Sequence, residues 1–383
     1  MNKLLCIGTI MLCTVSCIEP FQPEIEERQD MLVINGRVTD KPGWHFVEIS
    51  RSSAYNDPGF IPVKGCVVRV EDQNGRGVTY SEDQPGTYKA DLDESFLGIN
   101  NAYKLYVYTQ NGEEYQSDYD SLLSCPPIDS LWYEIDLPVS DDPDITFLGG
   151  VQFHVDIRGE KGDSRNLLWN LEETYKYPSD YFIQYLWEND SVYEFDPPAD
   201  SLAQCYIGGP ISEIYTASTK NLVTNQLNKF PLNYVSAWGP RLRYEYGLLV
   251  SQYSLSDEAY LYWEKIGDLT DEEGSLYEKQ PANAHGNIYN VNHQEEQVLG
   301  YFYASQEQQK WIQFEKPLAQ IYNMDEPCWL ELADLNFLES GSFMISVDED
   351  GMGPPFGSGN NECFDCRMKG GSLEPPDYWQ IDE

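Results

Sequence analysis

Residues 66–80, CVVRVEDQNGRGVTY, read as two short strands joined at Asn74-Gly75. Valines stand on both sides of the pair, and Asn-Gly supplies the positive φ that a tight hairpin turn demands. The same grammar extends outward in both directions. Upstream, Leu32 to Val38 and His45 to Ser50 read as strands. Downstream, Gly86-Thr87-Tyr88 leads into another, Tyr103 to Tyr108 alternates, and Asn111-Gly112 turns the chain into Glu114 to Ser117. Seven short strands at this spacing predict an immunoglobulin-like β-sandwich over 31–122.

Beyond it, residues 123–130 (LSCPPIDS) read as a linker, because paired prolines preclude regular structure. A second β-rich domain is predicted over 131–383. Its strands are Leu131 to Tyr133, Phe153 to Ile157, Leu167 to Glu173, Tyr244 to Tyr253, Val298 to Ser305 and Lys310 to Glu315. One helix is predicted at about 255–268. Ser254-Leu255-Ser256-Asp257 offers its cap, and Ala259, Tyr260, Trp263 and Ile266 make one apolar face that reads as core. The stretch 178–203 is acidic, aromatic and without a clear period, so it reads as an exposed insertion or a covered loop. The fold class is therefore mainly β: a sandwich, then a second β-rich domain carrying one clear helix. A ligand site is expected between the two β regions, where pockets commonly form. Tyr181, Phe182, Tyr185, Trp187 and Tyr193 are its candidate contacts, with Phe195 nearby in sequence.

The chain opens with Lys3, an apolar stretch from Leu4 to Val15, and Ser16-Cys17. That stretch is shorter than the roughly 20 residues a spanning helix needs, and it reads as a secretory signal over 1–16. A small residue before cysteine resembles the bacterial lipobox, which makes Cys17 the lipid-attachment residue. Residues 17–30 then read as an acidic tether.

Two of the nine cysteines, Cys6 and Cys13, fall in the signal, and Cys17 is expected to be acylated. Cys66, Cys125, Cys205, Cys328, Cys363 and Cys366 remain as disulfide candidates, with the pairing open. Cys363-Phe-Asp-Cys366 has no second CxxC and no histidine cluster beside it, so structural disulfides are expected there. The net charge of −40 argues against nucleic acid, whose phosphates need Lys and Arg. Four scattered histidines, His45, His154, His285 and His293, have no zinc-ligand spacing. Asp348-Glu349-Asp350-Gly351 and Asp271-Glu272-Glu273-Gly274 carry oxygen donors but lack the rest of a calcium loop. No nucleophile elbow, P-loop or dinucleotide fingerprint is present. The sequence therefore names no catalytic residue, no metal site and no cofactor.

Gly36-x-Val38-x-Asp40, then Val68-x-Val70-x-Asp72-x-x-Gly75, then Gly86-x-Tyr88 resembles carboxypeptidase-regulatory-like and transthyretin-like sandwiches. A longer ordered set is more specific. It runs through Cys205, Ile211 to Ser218, Tyr246 to Leu261 (YGLLVSQYSLSDEAYL), Trp263, Gly286-Asn287-Ile288 and Val298 to Phe302. It closes with Cys363, Cys366-Arg367, Gly370-Gly371 and Trp379. This set resembles the Bacteroidota lipoprotein family of domain of unknown function 4249. The resemblance implies an outer-membrane lipoprotein, often encoded beside a TonB-dependent transporter, and no established activity. The expected function is a non-catalytic binding or accessory subunit of such a transporter, held on the cell surface by its lipid. The alternatives are a surface hydrolase of glycan or peptide, or a structural envelope or adhesion lipoprotein.

Overall fold

A computed structural model describes residues 31–53, 59–136, 149–271, 285–315, 328–347 and 356–379. The signal, Cys17, the tether and the 348–351 turn lie outside these residues, as do 272–274 of the second acidic turn. The described protein is mainly β, with one α-helix.

The hairpin at Asn74-Gly75 forms as its sequence predicts. Strands Val67–Asp72 and Gly77–Gln84 pair with Val68 opposite Tyr80. Gly75 takes a φ of 80°, and Asp72 accepts hydrogen bonds from the backbone N–H groups of Asn74 and Arg76. Strand Gly77–Gln84 then crosses from one layer to the other. Its first half pairs with Val67–Asp72, and its second half with Thr87–Leu92. One layer continues through Ala102–Tyr108, Glu114–Ser117 and Ile288–Asn290. The other continues through Gly43–Arg51 and Leu32–Thr39 to Val298–Leu299 and Phe302–Ser305. Ile34, Val47, Ile49, Val68, Val70, Tyr88, Leu105, Val107 and Phe302 fill the space between the layers.

The predicted sandwich is thus completed from far along the chain. Residues 31–122 supply most of it, but 288–305 return to close both layers. Val298–Leu299 and Phe302–Ser305 lie parallel to Leu32–Thr39, with Gly36 opposite Phe302, while Ile288–Asn290 runs antiparallel to Glu114–Ser117. The linker is shorter than expected, since strand Ile128–Asp136 begins just after Pro126-Pro127.

A second sandwich follows. Ile128–Asp136, Gly150–Arg158 and Gln226–Ser236 form a three-stranded sheet. Facing it are four strands in the order Gln204–Ser218, Asn166–Pro178, Glu245–Ser254 and Glu307–Glu315. Val151, Phe153, Val155, Trp169, Tyr246 and Val250 meet in its core. Trp169 Nε1, fully buried, donates to Gln252 Oε1 at 2.9 Å, and Gln252 donates onward to the Pro126 carbonyl. A buried indole N–H needs such a partner.

The helix spans Asp257–Asp271 and lies against the outer face of this four-stranded sheet. Ser256 caps it, its Oγ accepting from the Ala259 N–H at 3.2 Å.

Residues 178–203 are not the loop or insertion expected. Ile183–Glu188 and Ser191–Ala199 form a hairpin, turned at Asn189-Asp190 with φ of 50° and 56°. Two consecutive positive φ values are what a two-residue hairpin loop of the favoured twist requires. Ser342–Ser346, Phe356–Ser358 and Glu331–Leu332 extend the hairpin into a third, five-stranded sheet. Two disulfides hold this lobe. Cys328–Cys363 joins its ends, and Cys205–Cys366 ties it to the second sandwich.

Cys66 and Cys125 do not pair, against the expectation from their even count. Cys66 is buried in the first core and Cys125 in the second, so the two thiols belong to separate hydrophobic clusters. Burial pushes the Cys125 thiol up to about 12 and raises that of Cys66. The CxxC cysteines pair with partners elsewhere and not with each other.

Candidate functional site between the two sandwiches

Strand alternation builds the floor of a cleft from the outer face of the first sandwich. Ile34 and Val38 point into the core, which leaves Asn35 and Arg37 outward. Val47 and Ile49 point inward, which leaves Trp44, Phe46 and Glu48 outward. On the returning strand Phe302 and Ala304 enter the core, so Tyr301 and Tyr303 face out. Parallel pairing sets Arg37 beside Tyr303. Trp263 from the helix, Asn170 and Glu307 from the second sandwich form the facing wall. The cleft, open to solvent, measures about 530 Å³.

Its base is a small shared core. Leu168, Tyr253, Leu255, Ala259, Tyr301 and Tyr303 pack there from both sandwiches and the helix. Trp263 meets Tyr303 edge-on, with centroids 6.0 Å apart. The Arg37 guanidinium lies 4.9 Å above the centre of the Tyr253 ring and is hydrogen-bonded to Tyr303. The Tyr253 hydroxyl donates to Glu307 Oε1 at 3.0 Å, and Gln309 donates to the same oxygen at 2.9 Å. Lys89 Nζ sits 4.8 Å from the centre of the Trp44 ring.

His45 is committed to the scaffold. Its Nδ1 lies 3.0 Å from the Gly43 carbonyl, which can only accept, so that nitrogen donates. Nε2 then accepts from the Thr39 hydroxyl at 3.2 Å. Burial lowers its pKa, and the imidazole is held neutral.

The two sandwiches are pinned together beside the cleft. Asp40 accepts from the Glu307 N–H at 2.9 Å and from Gln306 Nε2 at 3.0 Å. The Cys125 N–H donates to Gln306 Oε1 at 2.9 Å. Behind the floor, Asp120 is 4% exposed and accepts from the Ala304 N–H at 2.8 Å, with the Ser256 hydroxyl also bonded to it. Burial outweighs these bonds and pushes its carboxyl up to about 6.

The aromatic candidates from 181–193 are not brought to this cleft. They stand in the third sheet, where the Tyr181 hydroxyl donates to the Cys328 carbonyl at 3.0 Å. Tyr185 packs edge-on against Phe356, and Trp187 Nε1 donates to the Leu338 carbonyl at 3.1 Å. Phe182 and Tyr193 remain exposed. The residues that do line the cleft carried a legible signal. In Gly43–Arg51 both parities hold apolar or aromatic side chains, and the outer set, Trp44 and Phe46, stays exposed as rings facing the cleft. Trp263, expected in the core, is partly so and also lines the wall.

Among the described residues no group of three or more His, Cys, Asp or Glu is arranged to hold a metal ion. His154 packs at a tilt against Trp132, ring centres 4.6 Å apart, with Glu134 3.5 Å away. No helix among the described residues is long and apolar enough to cross a membrane, which says nothing of strands.

The class defined by this architecture is a double β-sandwich protein with an aromatic cleft at the junction. The chain belongs to the family described as Domain of unknown function (DUF4249), which matches residues 18–311. No curated protein matches it. Among solved structures it is similar to a DUF4785 family protein from Legionella pneumophila, at 13% identity and a TM-score of 0.16. That match covers 52% of this chain and 54% of the other. A biofilm-associated protein BSP domain matches at 7% identity and a TM-score of 0.13, over 76% of this chain and 62% of that one. The chain thus spans less than two thirds of either structure, and neither likeness carries an argument.

Proposed function

We propose that this protein is a surface lipoprotein of a Bacteroidota outer membrane, anchored through Cys17, that serves a TonB-dependent nutrient transporter as a non-catalytic binding or accessory subunit. The observation that carries the binding role is the cleft itself. It is roomy, open to solvent, and lined by rings and hydrogen-bonding side chains on rigid strands, which suits capture. Its histidine is tied to Thr39 and Gly43, and Arg37 rests on Tyr253. Family membership and the Ser16-Cys17 signal support the anchoring and the neighbourhood.

The test is a gentle detergent pull-down of tagged protein from its native membrane, read by mass spectrometry. A stoichiometric β-barrel transporter is expected. Lipid-anchored protein that reproducibly comes down alone defeats the accessory role.

One observation favours a second reading. Glu48 and Glu307 both line the cleft, and a carboxylate pair is what a glycan hydrolase needs. Turnover of an oligosaccharide that disappears in both Glu48→Gln and Glu307→Gln would establish it in place of pure binding.

A further inference from the structure

The cleft lining is unusual in what it omits. Trp44, Phe46, Trp263, Tyr301 and Tyr303 supply flat rings, and Asn35, Asn170, Glu48 and Glu307 supply donors and acceptors. Among the described residues no Leu, Ile, Val, Met or Ala lines it. Flat rings beside amides and carboxylates suit a hydroxyl-rich ligand with planar C–H faces. A peptide would instead need aliphatic or shaped pockets for its side chains.

The charge is equally distinctive. In a chain of net charge −40, this cleft carries two cations, Arg37 and Lys41, against two carboxylates, Glu48 and Glu307. Arg37 makes no ion pair among the described residues. Its guanidinium is held in place by the Tyr253 ring and Tyr303, while the near oxygen of Glu307 is occupied by Tyr253 and Gln309. Glu307 acts on the guanidinium as a nearby charge without pairing directly with it, so a fork braced by rings is left preorganised to receive a ligand carboxylate, whose geometry it matches.

We infer that the cleft binds a carboxylate-bearing oligosaccharide, with Arg37 taking the uronate carboxylate and Trp44 and Trp263 stacking on the sugar rings. This rests on the cleft being the ligand site proposed above. The occupant has the acidity that the rest of the surface repels and that Arg37 alone in the floor strands is placed to accept. The cleft volume suits a unit of two or three sugars.

Calorimetric titration of the full chain with tri-galacturonate, its methyl ester and neutral tri-galactose tests the inference. The free acid is expected to bind about 10- to 100-fold tighter than the ester, the worth of a charge-assisted pair. Its affinity should fall with added salt. Arg37→Gln should bring acid and ester to equal, weak affinity, and Arg37→Lys should recover part of the difference. Trp44→Ala should weaken all three without changing their order. Circular dichroism and thermal melts show that each variant is folded. Equal binding of acid and neutral sugar, lost in Trp44→Ala, overturns the carboxylate inference and leaves the cleft reading intact. Binding unaffected by Trp44→Ala and Arg37→Gln overturns both, as does no binding of any saccharide alongside binding of an acidic peptide elsewhere.

Discussion

Asp120 couples the junction of the two sandwiches to pH. Its carboxyl, pushed up to about 6 by burial, holds a proton in the folded state that it loses near ~3.9 when unfolded. Between those values the folded state binds more protons, so this group's contribution falls as pH rises from about 4 to 6. The largest effect is on the order of 3 kcal/mol. Asp120→Asn keeps an oxygen for the Ala304 N–H and removes the charge. It is expected to melt higher than the parent at pH 7.5, with the gap closing by pH 4. Parallel melting curves across that range would refute the assignment. Gly300 is constrained differently. It has a φ of 92°, and a Cβ there would lie 2.0 Å from the Ile34 carbonyl oxygen. Gly300→Ala should therefore cost well over ~1 kcal/mol in urea unfolding, since both backbone strain and a steric clash act. Cys66 and Cys125 should resist an aromatic disulfide reagent in the folded protein and react once it unfolds. Fast native labelling would contradict their burial.

Among the elements, the helix carries the plainest local code. Ser256 caps it and Leu255, fully buried, anchors the entry to the shared core. Ser256→Ala is expected to cost about 1 kcal/mol by denaturant titration, because the Ala259 N–H loses its acceptor. The hairpins teach a contrast. Asn74-Gly75 and Asn111-Gly112 announce their turns, because glycine takes positive φ freely. Asn189-Asp190 makes a two-residue turn without glycine, so the period-two spacing of Ile183, Tyr185 and Trp187 and of Tyr193 and Phe195 has no glycine turn to frame it. That is why 178–203 reads as loop from its sequence although it pairs as strand. The signal was the Asn-Asp pair itself, since these two residues enter the left-handed region more readily than others.

At the scale of the molecule, the third lobe hangs on its disulfides more than on its core. Its buried cluster is small, with Ile183, Cys363 and Phe364 at the centre, whereas each sandwich has a core of its own. Cys205–Cys366 closes a span of 161 residues, and removing a native disulfide costs about 2–5 kcal/mol. Reduction followed by limited proteolysis should therefore nick 183–199 and 331–347 first and spare the sandwiches. Simultaneous digestion of all three would show that the lobe is not separately stapled.

The sequence alone determined most strands of the first sandwich, part of those of the second, the glycine turns, the helix and the mainly β class, because each depends on periodicity and φ preference within a few neighbouring residues. It missed Gln204–Ser218, Gln226–Ser236 and the strands of the third sheet. It left open which parity of strand Gly43–Arg51 faces inward, because both carry apolar side chains, and packing turned Val47 and Ile49 into the core and left Trp44, Phe46 and Glu48 on the cleft face. Tertiary structure decided what that face meets. Residues 288–305 return to complete the first sandwich because its sheet edges need partners, and nothing local to those residues specifies which edge they join. Cysteine pairing was settled the same way, by which core each sulfur is buried in and not by count. The cleft exists only because Arg37, Tyr303, Trp263 and Glu307, spread over 271 positions of chain, are carried to one junction by two separate cores.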